Sequence, residues 1–172
     1  MATTYEAIAT VTVGSGGAAN IDFTSIPATF TDLAVKLSVR GDATFATQQM
    51  YMTFNNSTSG YSARQVYGDG SSATSATLSN SGAAISIVNT NTSVSTSNTF
   101  SSTEVYIPNY ASSNNKSASA DSVTENNATG AVAGLTAGLW SNTAAITSIK
   151  FEPQSGNFVQ YSTAILYGIK NS

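Results

Sequence analysis

Seven of the nine acidic residues are the first side chains that could do chemistry, because two carboxylates about 5–9 Å apart can hydrolyse a glycosidic bond. Nothing in their spacing along the chain pairs any two of them, and several fall at strand ends or at outward strand positions. A solvated surface carboxylate explains each of them equally well. We therefore expect no catalytic residue and no enzyme. The seven are Asp32, Asp42, Asp69, Glu104, Asp121, Glu125 and Glu152.

A second possibility is a calcium loop in the run from Tyr67 to Ser72, where Asp69 stands between two glycines. Backbone carbonyls, a serine and this carboxylate are the hard oxygen ligands that calcium prefers. One carboxylate makes a poor calcium site, however, and a tight turn that ends a strand, with glycine at positive φ, explains the same residues. We expect the turn, and neither a metal nor any other cofactor.

Aromatic side chains supply a third possibility, a platform on which sugar rings stack while Asn and Ser bond the hydroxyl groups. Tyr is also a favoured strand residue, and a single Trp in a β-sandwich is more often part of the core. Both interpretations stay open. The candidate contacts for a glycan or a protein partner are Tyr5, Tyr51, Tyr61, Tyr106 and Tyr110, with Trp140 as a further stacking residue.

Much familiar chemistry is excluded because the chain has no Cys and no His. It cannot form a disulfide, a Cys nucleophile, a Ser-His-Asp triad or an ordinary zinc site. Its six Lys and Arg, at a formal net charge of −3, cannot neutralise a run of phosphates, so we expect no nucleic-acid partner. The apolar run from Ala131 to Trp140 is far shorter than the roughly 20 residues of a spanning helix, and the N-terminus shows no signal peptide, so we expect no membrane partner.

Small neutral polar residues take the place of charged residues in this sequence. Ser, Thr and Asn number 27, 24 and 15, and only 9% of the residues are charged, where a typical soluble domain has about 25%. Such a composition favours strands and turns over helices.

Alternation of apolar and polar residues predicts strands along most of the chain. It is clearest from Thr31 to Arg40, where four aliphatic residues share one face and Asp32, Lys36, Ser38 and Arg40 share the other. Other predicted strands are Tyr5–Val13, a short one at Ile21 and Phe23, Gln49–Asn55, Ser62–Gly68, Ala83–Asn89, Phe100–Pro108, Ala145–Phe151 and Thr163–Ile169.

We expect one all-β domain over residues 1–172, an antiparallel β-sandwich of about nine to eleven short strands. We expect a jelly-roll-like connection, although alternation does not report strand order and an immunoglobulin-like sandwich also satisfies it. Three stretches rich in Ser, Thr and Asn, at residues 71–81, 90–99 and 111–116, are interpreted as long exposed loops.

The C-terminal part of the chain resembles a group of small virion proteins. The segment WSNTAAITSIKFEPQSGNF at 140–158, followed by STAILYGIK at 162–170, is similar to the C-terminal signature of small β-sandwich proteins from tailed phages, including cyanophages. YEAIAT at 5–10, FTDLAVKLSV at 30–39, FNN at 54–56 and YSARQVYGDG at 61–70 are similar to the same group in the same order. The resemblance covers most of the chain outside its Ser/Thr/Asn-rich loops.

This resemblance implies a structural role in a virion and supplies no catalytic residue. We expect a head decoration (cement) protein that binds the major capsid protein on the outer surface of the head, beside copies of itself in a possible homotrimer. We also expect assembly in the bacterial cytoplasm. The alternative is a tail or fibre module that binds host-surface glycans. The expected contact surfaces are loops 71–81 and 90–99 and the N-terminal strand around Tyr5.

Overall fold

All the strands that the structure describes pair in antiparallel fashion. The computed structural model describes residues 4–77, 82–127 and 130–170, and this part of the chain contains no helix. Its strands are β1 Tyr5–Thr12, β2 Ile21–Phe23, β3 Asp32–Val39, β4 Gln48–Phe54, β5 Tyr61–Gly68, β6 Ala73–Thr77, β7 Ile85–Thr90, β8 Ser101–Ile107, β9 Lys116–Val123, β10 Ala133–Trp140, β11 Ile149–Pro153 and β12 Thr163–Ile169.

The strands form two sheets. The larger has eight strands in the order β1-β12-β3-β8-β9-β10-β5-β6, and the smaller has four in the order β2-β11-β4-β7. The predicted all-β fold is confirmed and is consistent with a β-sandwich. The twelve described strands exceed the predicted number. A jelly roll has about eight strands, and the jelly-roll connection is not confirmed.

The core lies between the two sheets and consists of the large apolar residues that alternation places inward. In β3 and β8 these side chains are fully buried, and the three inward residues of β4 are buried as well. Burying one such side chain contributes about 1.5–3 kcal/mol. The predicted faces of these strands are therefore confirmed for Leu33, Val35, Leu37, Val39, Met50, Met52, Phe54, Val105 and Ile107.

Three strands of the larger sheet, β6, β9 and β10, are not predicted by alternation. Most of their inward positions carry Ala, Ser, Thr or Gly, and the large inward side chains are confined to the strand ends, Lys116 in β9 and Trp140 in β10. The small size has a steric reason in β10, where a Cβ on Gly138 would lie 2.7 Å from Cγ2 of Ile85. A Cβ on Gly134 would lie 2.9 Å from Cγ2 of Val88. Small residues in β10 thus let β7 of the smaller sheet come close.

The prediction of three long exposed loops is wrong in part. Residues 73–77 form the edge strand β6, and residues 78–81 of the predicted loop 71–81 lie outside the described part of the chain. In the segment 90–99 the side chains of Thr90, Asn91, Thr92 and Ser95 are buried. In the segment 111–116 the ammonium of Lys116 is buried and donates to the main-chain oxygens of Ser112 and Asn114. These segments are ordered by hydrogen bonds, which apolar periodicity does not detect.

Within the described ranges we find no helix of the length and apolar character that crossing a bilayer requires.

Candidate functional site

The carboxylates singled out by the sequence analysis are dispersed, with one exception. Glu104 of β8 and Asp121 of β9 are direct cross-strand partners on the outer face of the larger sheet. Glu104 forms an ion pair with Lys36, 3.0 Å from Nζ to Oε2. Sequence spacing does not reveal this neighbourhood because strand register creates it. The pair lies on an open sheet face rather than in a cleft.

The remaining carboxylates bind groups of the protein itself. Asp32 is buried and accepts hydrogen bonds of 2.8 Å from the Tyr106 hydroxyl and from the Asn109 amide. Asp42 accepts from the Asn157 amide, and Glu152 pairs with Lys150. In the part of the chain that is described, no three His, Cys, Asp or Glu side chains come together as metal ligands.

Asp69 forms the turn that was preferred over a calcium loop. Its Oδ1 accepts from the main-chain amides of Ser71 and Ser72, at 2.9 and 2.8 Å, and from both serine hydroxyls. The hydrogen bonds from these two amides are the main reason why the pKa of this carboxyl lies well below its ordinary value. One of the two carboxylate oxygens, Oδ1, is thus occupied by donors of its own turn.

A pH titration checks this arrangement. Because the folded pKa of Asp69 is depressed, the turn's contribution to stability is present above the unfolded pKa of about 3.9 and is lost only as pH falls through the lower folded value. We expect the carboxyl ¹³C shift of Asp69 to remain that of the ionised form at pH 3. A peptide of residues 67–72, which lacks the folded turn, serves as the control. Titration of the folded protein near the peptide value would contradict the prediction.

The structure separates the candidate tyrosines into two groups. Tyr61 and Tyr110 are buried, and burial raises the pKa of each phenol. The Tyr61 hydroxyl bonds both main-chain groups of Phe54, and the Tyr110 hydroxyl donates to the carbonyl of Pro27. The expectation that these two rings contact a glycan or a partner is therefore wrong.

Trp140 belongs to the same buried group. Its ring stacks on Tyr61 with centroids 6.0 Å apart, and it is almost completely buried. Tyr5 and Tyr106 are exposed on the outer face of the larger sheet, and Tyr51 is half-buried in β4. Of the proposed platform, only Tyr5 and Tyr106 present much ring surface to solvent.

An apolar groove of about 420 Å³ lies at the β9-β10-β5-β6 end of this outer face. Its centre is Leu135, which is 58% exposed, flanked by the exposed Val66 and Val123. Leu135 lies between Val66 and Asp121 in one cross-strand row, and Ala133 lies between Gly68 and Val123 in the next. Exposed aliphatic side chains that form one contiguous surface mark an interaction site more often than single exposed ones do.

The rim of the groove is acidic. Asp121 lines it, and Asp69 and Glu125 line a smaller adjoining depression. Among the described residues Asp121 forms no ion pair, and its cross-strand neighbour Glu104 carries the same charge. Like charges directly opposite each other are unfavourable. Because Lys36 already pairs with Glu104, the charge left for a partner's cation at this rim is that of Asp121.

Arg40 organises the segment after β7. Although it lies at the end of the polar face of β3, it is only 8% exposed, and burial lowers the pKa of its guanidinium. The two Nη atoms donate to four main-chain carbonyls, those of Ser93, Ser95, Thr96 and Thr99. No carboxylate accompanies it among the described residues. The fork of a guanidinium suits several carbonyls at once.

Sequence reasoning missed the groove and the role of Arg40. The groove has no local motif, because its apolar residues come from four different strands, one or two from each. The only available signal for Arg40 is that an isolated cation precedes a Gly-Asp turn.

Comparisons of the chain with protein-family models, with curated proteins and with solved structures found no match.

Proposed function

We propose that this chain is a structural protein of a phage particle, a head decoration protein that binds the outer surface of the major capsid protein lattice. The resemblance at residues 140–158 and 162–170 supports a virion role. A surface rich in Ser, Thr and Asn also suits many small hydrogen-bonded contacts, because neutral groups cost less to desolvate than charges.

The single observation that carries the proposal is the apolar groove around Leu135 with its acidic rim. It is a surface for a protein segment that brings an aliphatic side chain to Leu135 and a Lys or Arg to Asp121. The edge strand β6 borders it and falls in the segment 71–81 that was expected to make contacts. An extended partner segment could add to this open edge through main-chain hydrogen bonds.

Binding of this kind stabilises a head by mass action. A protein that binds the expanded shell but not its precursor shifts the equilibrium toward the mature form. A homotrimer would match threefold positions of such a lattice. Sedimentation of the purified chain at high concentration tests the trimer, and a monodisperse monomer would contradict it.

Gold-antibody labelling of intact particles tests the location. We expect label spread over the head, and we expect purified protein to raise the temperature at which heads lacking it disrupt. No label on any particle would overturn the virion role, and label confined to the tail would overturn decoration.

The groove itself is tested by two exposed positions. We expect Val66→Glu to weaken attachment to such heads at least about tenfold, which is roughly 1.4 kcal/mol, because it places a carboxylate beside Leu135 and Asp121. Thr143→Glu adds the same charge at an exposed position between β10 and β11, outside the groove and outside every expected contact surface, and this matched control should bind as the unmodified chain does. Equal binding by both variants would exclude the groove as the attachment surface.

One observation favours a second candidate function, a tail or fibre module that binds host-surface glycans. The exposed Tyr5 ring meets Tyr167 edge-on, with centroids 6.1 Å apart, at the opposite end of the same outer face. Label at the tail tip together with saturable binding to host lipopolysaccharide would support this function. Label over the head would exclude it.

A further inference from the structure

A second depression lies at one end of the sandwich, between the turn at residues 96–99 and the turn at residues 159–162. Its volume is about 330 Å³, which lies at the small end of ligand sites and suits a single ring rather than a chain segment. It is separate from the groove around Leu135, with which it shares no lining residue. Its walls carry Tyr161, Phe100, Ser97, Asn98 and Gln160, and Arg40 lies at its base.

Tyr161 is the most unusual residue of this depression. Its side chain is 69% exposed, and its φ of 72° lies in the left-handed region that favours glycine. The conformation is imposed by the chain, since the Tyr161 amide donates to the Val13 carbonyl at 3.0 Å and the Ser162 amide donates to the Val159 carbonyl at 3.1 Å. Glycine would satisfy this turn without strain. A large aromatic ring here therefore serves something other than folding.

The polar groups beside Tyr161 are free to bind a ligand. The side chains of Ser97, Asn98 and Gln160 are exposed, and they form no hydrogen bond with the described part of the protein. Two amides and one hydroxyl supply both donors and acceptors. Phe100 is half-buried and adds apolar surface.

Arg40 holds both walls in place. Its main-chain oxygen accepts from the Val159 amide at 2.9 Å, and its Nη1 donates to the carbonyls of Thr96 and Thr99 at 2.8 and 2.9 Å. Because both turns are anchored to one residue, little of the protein has to become ordered when a ligand binds. Because both Nη groups already donate to carbonyls, the Arg40 guanidinium is not free to bind a phosphate or a carboxylate.

We propose that this depression binds one neutral pyranose ring of a glycan. The apolar C–H face of the sugar stacks on Tyr161, and its hydroxyl groups exchange hydrogen bonds with Ser97, Asn98 and Gln160. An amphipathic ring beside neutral amides matches a ligand with one apolar face and many hydroxyl groups. This site is distinct from the Tyr5–Tyr167 pair and does not depend on attachment to a phage head.

The test is a titration of ¹⁵N-labelled protein with the methyl glycosides of glucose, galactose, mannose and N-acetylglucosamine, followed by amide chemical shifts. We expect at least one of them to bind with a dissociation constant on the order of 1 mM, since a ligand of this size gains roughly 0.3 kcal/mol per atom. The shifted amides should be those of residues 96–100 and 159–162. No shift with any of the four at about 50 mM, or shifts confined to other segments, would overturn the proposal.

Two variants separate binding from folding. Tyr161→Gly removes the ring and relieves the positive φ, so we expect the thermal midpoint to stay the same or rise while affinity falls at least about tenfold. Tyr5→Ala removes an exposed tyrosine elsewhere and should leave the dissociation constant within about twofold. Unchanged affinity in Tyr161→Gly would overturn the site. A loss in Tyr5→Ala alone would place sugar binding on the outer sheet face instead, which also overturns it.

Discussion

Arg40→Met lowers the free energy of unfolding by about 2–4 kcal/mol, because it removes the side chain that holds the segment after β7. Methionine keeps much of the volume and removes every donor of the guanidinium. Four main-chain carbonyls then lose the guanidinium as a donor, and Ser95, which carries one of them, is buried. Leaving a buried acceptor unpaired costs more than the net value of the hydrogen bond.

Chemical denaturation measures this loss, and hydrogen exchange of the segment 91–99 shows where it occurs. The amides to follow are those of Ser95 and Thr99, which donate to the carbonyls of Thr92 and Thr96. Arg64→Met is the matched control, because Arg64 is exposed and its side chain makes one hydrogen bond with the described residues, to the adjacent carbonyl of Ala63. It should change stability by less than about 0.5 kcal/mol. Unchanged stability and unchanged protection of Ser95 in Arg40→Met would contradict the anchoring role.

We expect Gly138→Ala to lower the free energy of unfolding by about 1–3 kcal/mol through overpacking. The new methyl would lie 2.7 Å from Cγ2 and 2.9 Å from Cδ1 of Ile85, which is almost completely buried between the sheets. Neither β10 nor β7 can move away without separating the two sheets. The loss is steric, since Gly138 does not have a positive φ.

A double-mutant cycle isolates this contact. Ile85→Ala alone costs about 2–5 kcal/mol because it opens a cavity, and it removes all three atoms that the new methyl would strike. We expect the double variant to be more stable than the sum of the single losses by about 1 kcal/mol or more. Gly14→Ala is the control, because nothing lies within 4 Å of a Cβ there, and it should be neutral or slightly stabilising. Strict additivity in the cycle would show that a methyl group at position 138 does not clash with Ile85, which would contradict the prediction.

Alternation located most of the strands, because one face of β3, β4 and β8 carries large apolar residues and packs in the core between the two sheets. It failed for β9 and β10. Apart from Lys116 and Trp140 at the strand ends, their inward residues are small because β7 lies directly against them, and small residues carry little hydrophobic signal. The β10 segment from Ala133 to Trp140 shows this most clearly, with glycine at both contacts to β7.

The candidate site was less predictable than the fold. Tyr5 lies in the edge strand β1, and Tyr61 lies in β5, the strand next to the opposite edge. The Tyr61 hydroxyl binds Phe54 inside the core, whereas the Tyr5 ring is exposed to solvent. Residue type does not report which face of a strand another sheet covers. The groove around Leu135 likewise depends on the register of β5, β9 and β10.

By itself the sequence determined that this is an all-β protein without Cys or His chemistry, because composition limits the available reactive groups and the period of two is a local property of a strand. Only the tertiary structure decided that Arg40 is buried, that Asp121 faces Glu104, and that Tyr161 stands over a depression between two turns. Each of these depends on contacts between residues far apart in the chain. Such contacts arise from sheet packing and register, which local periodicity does not encode.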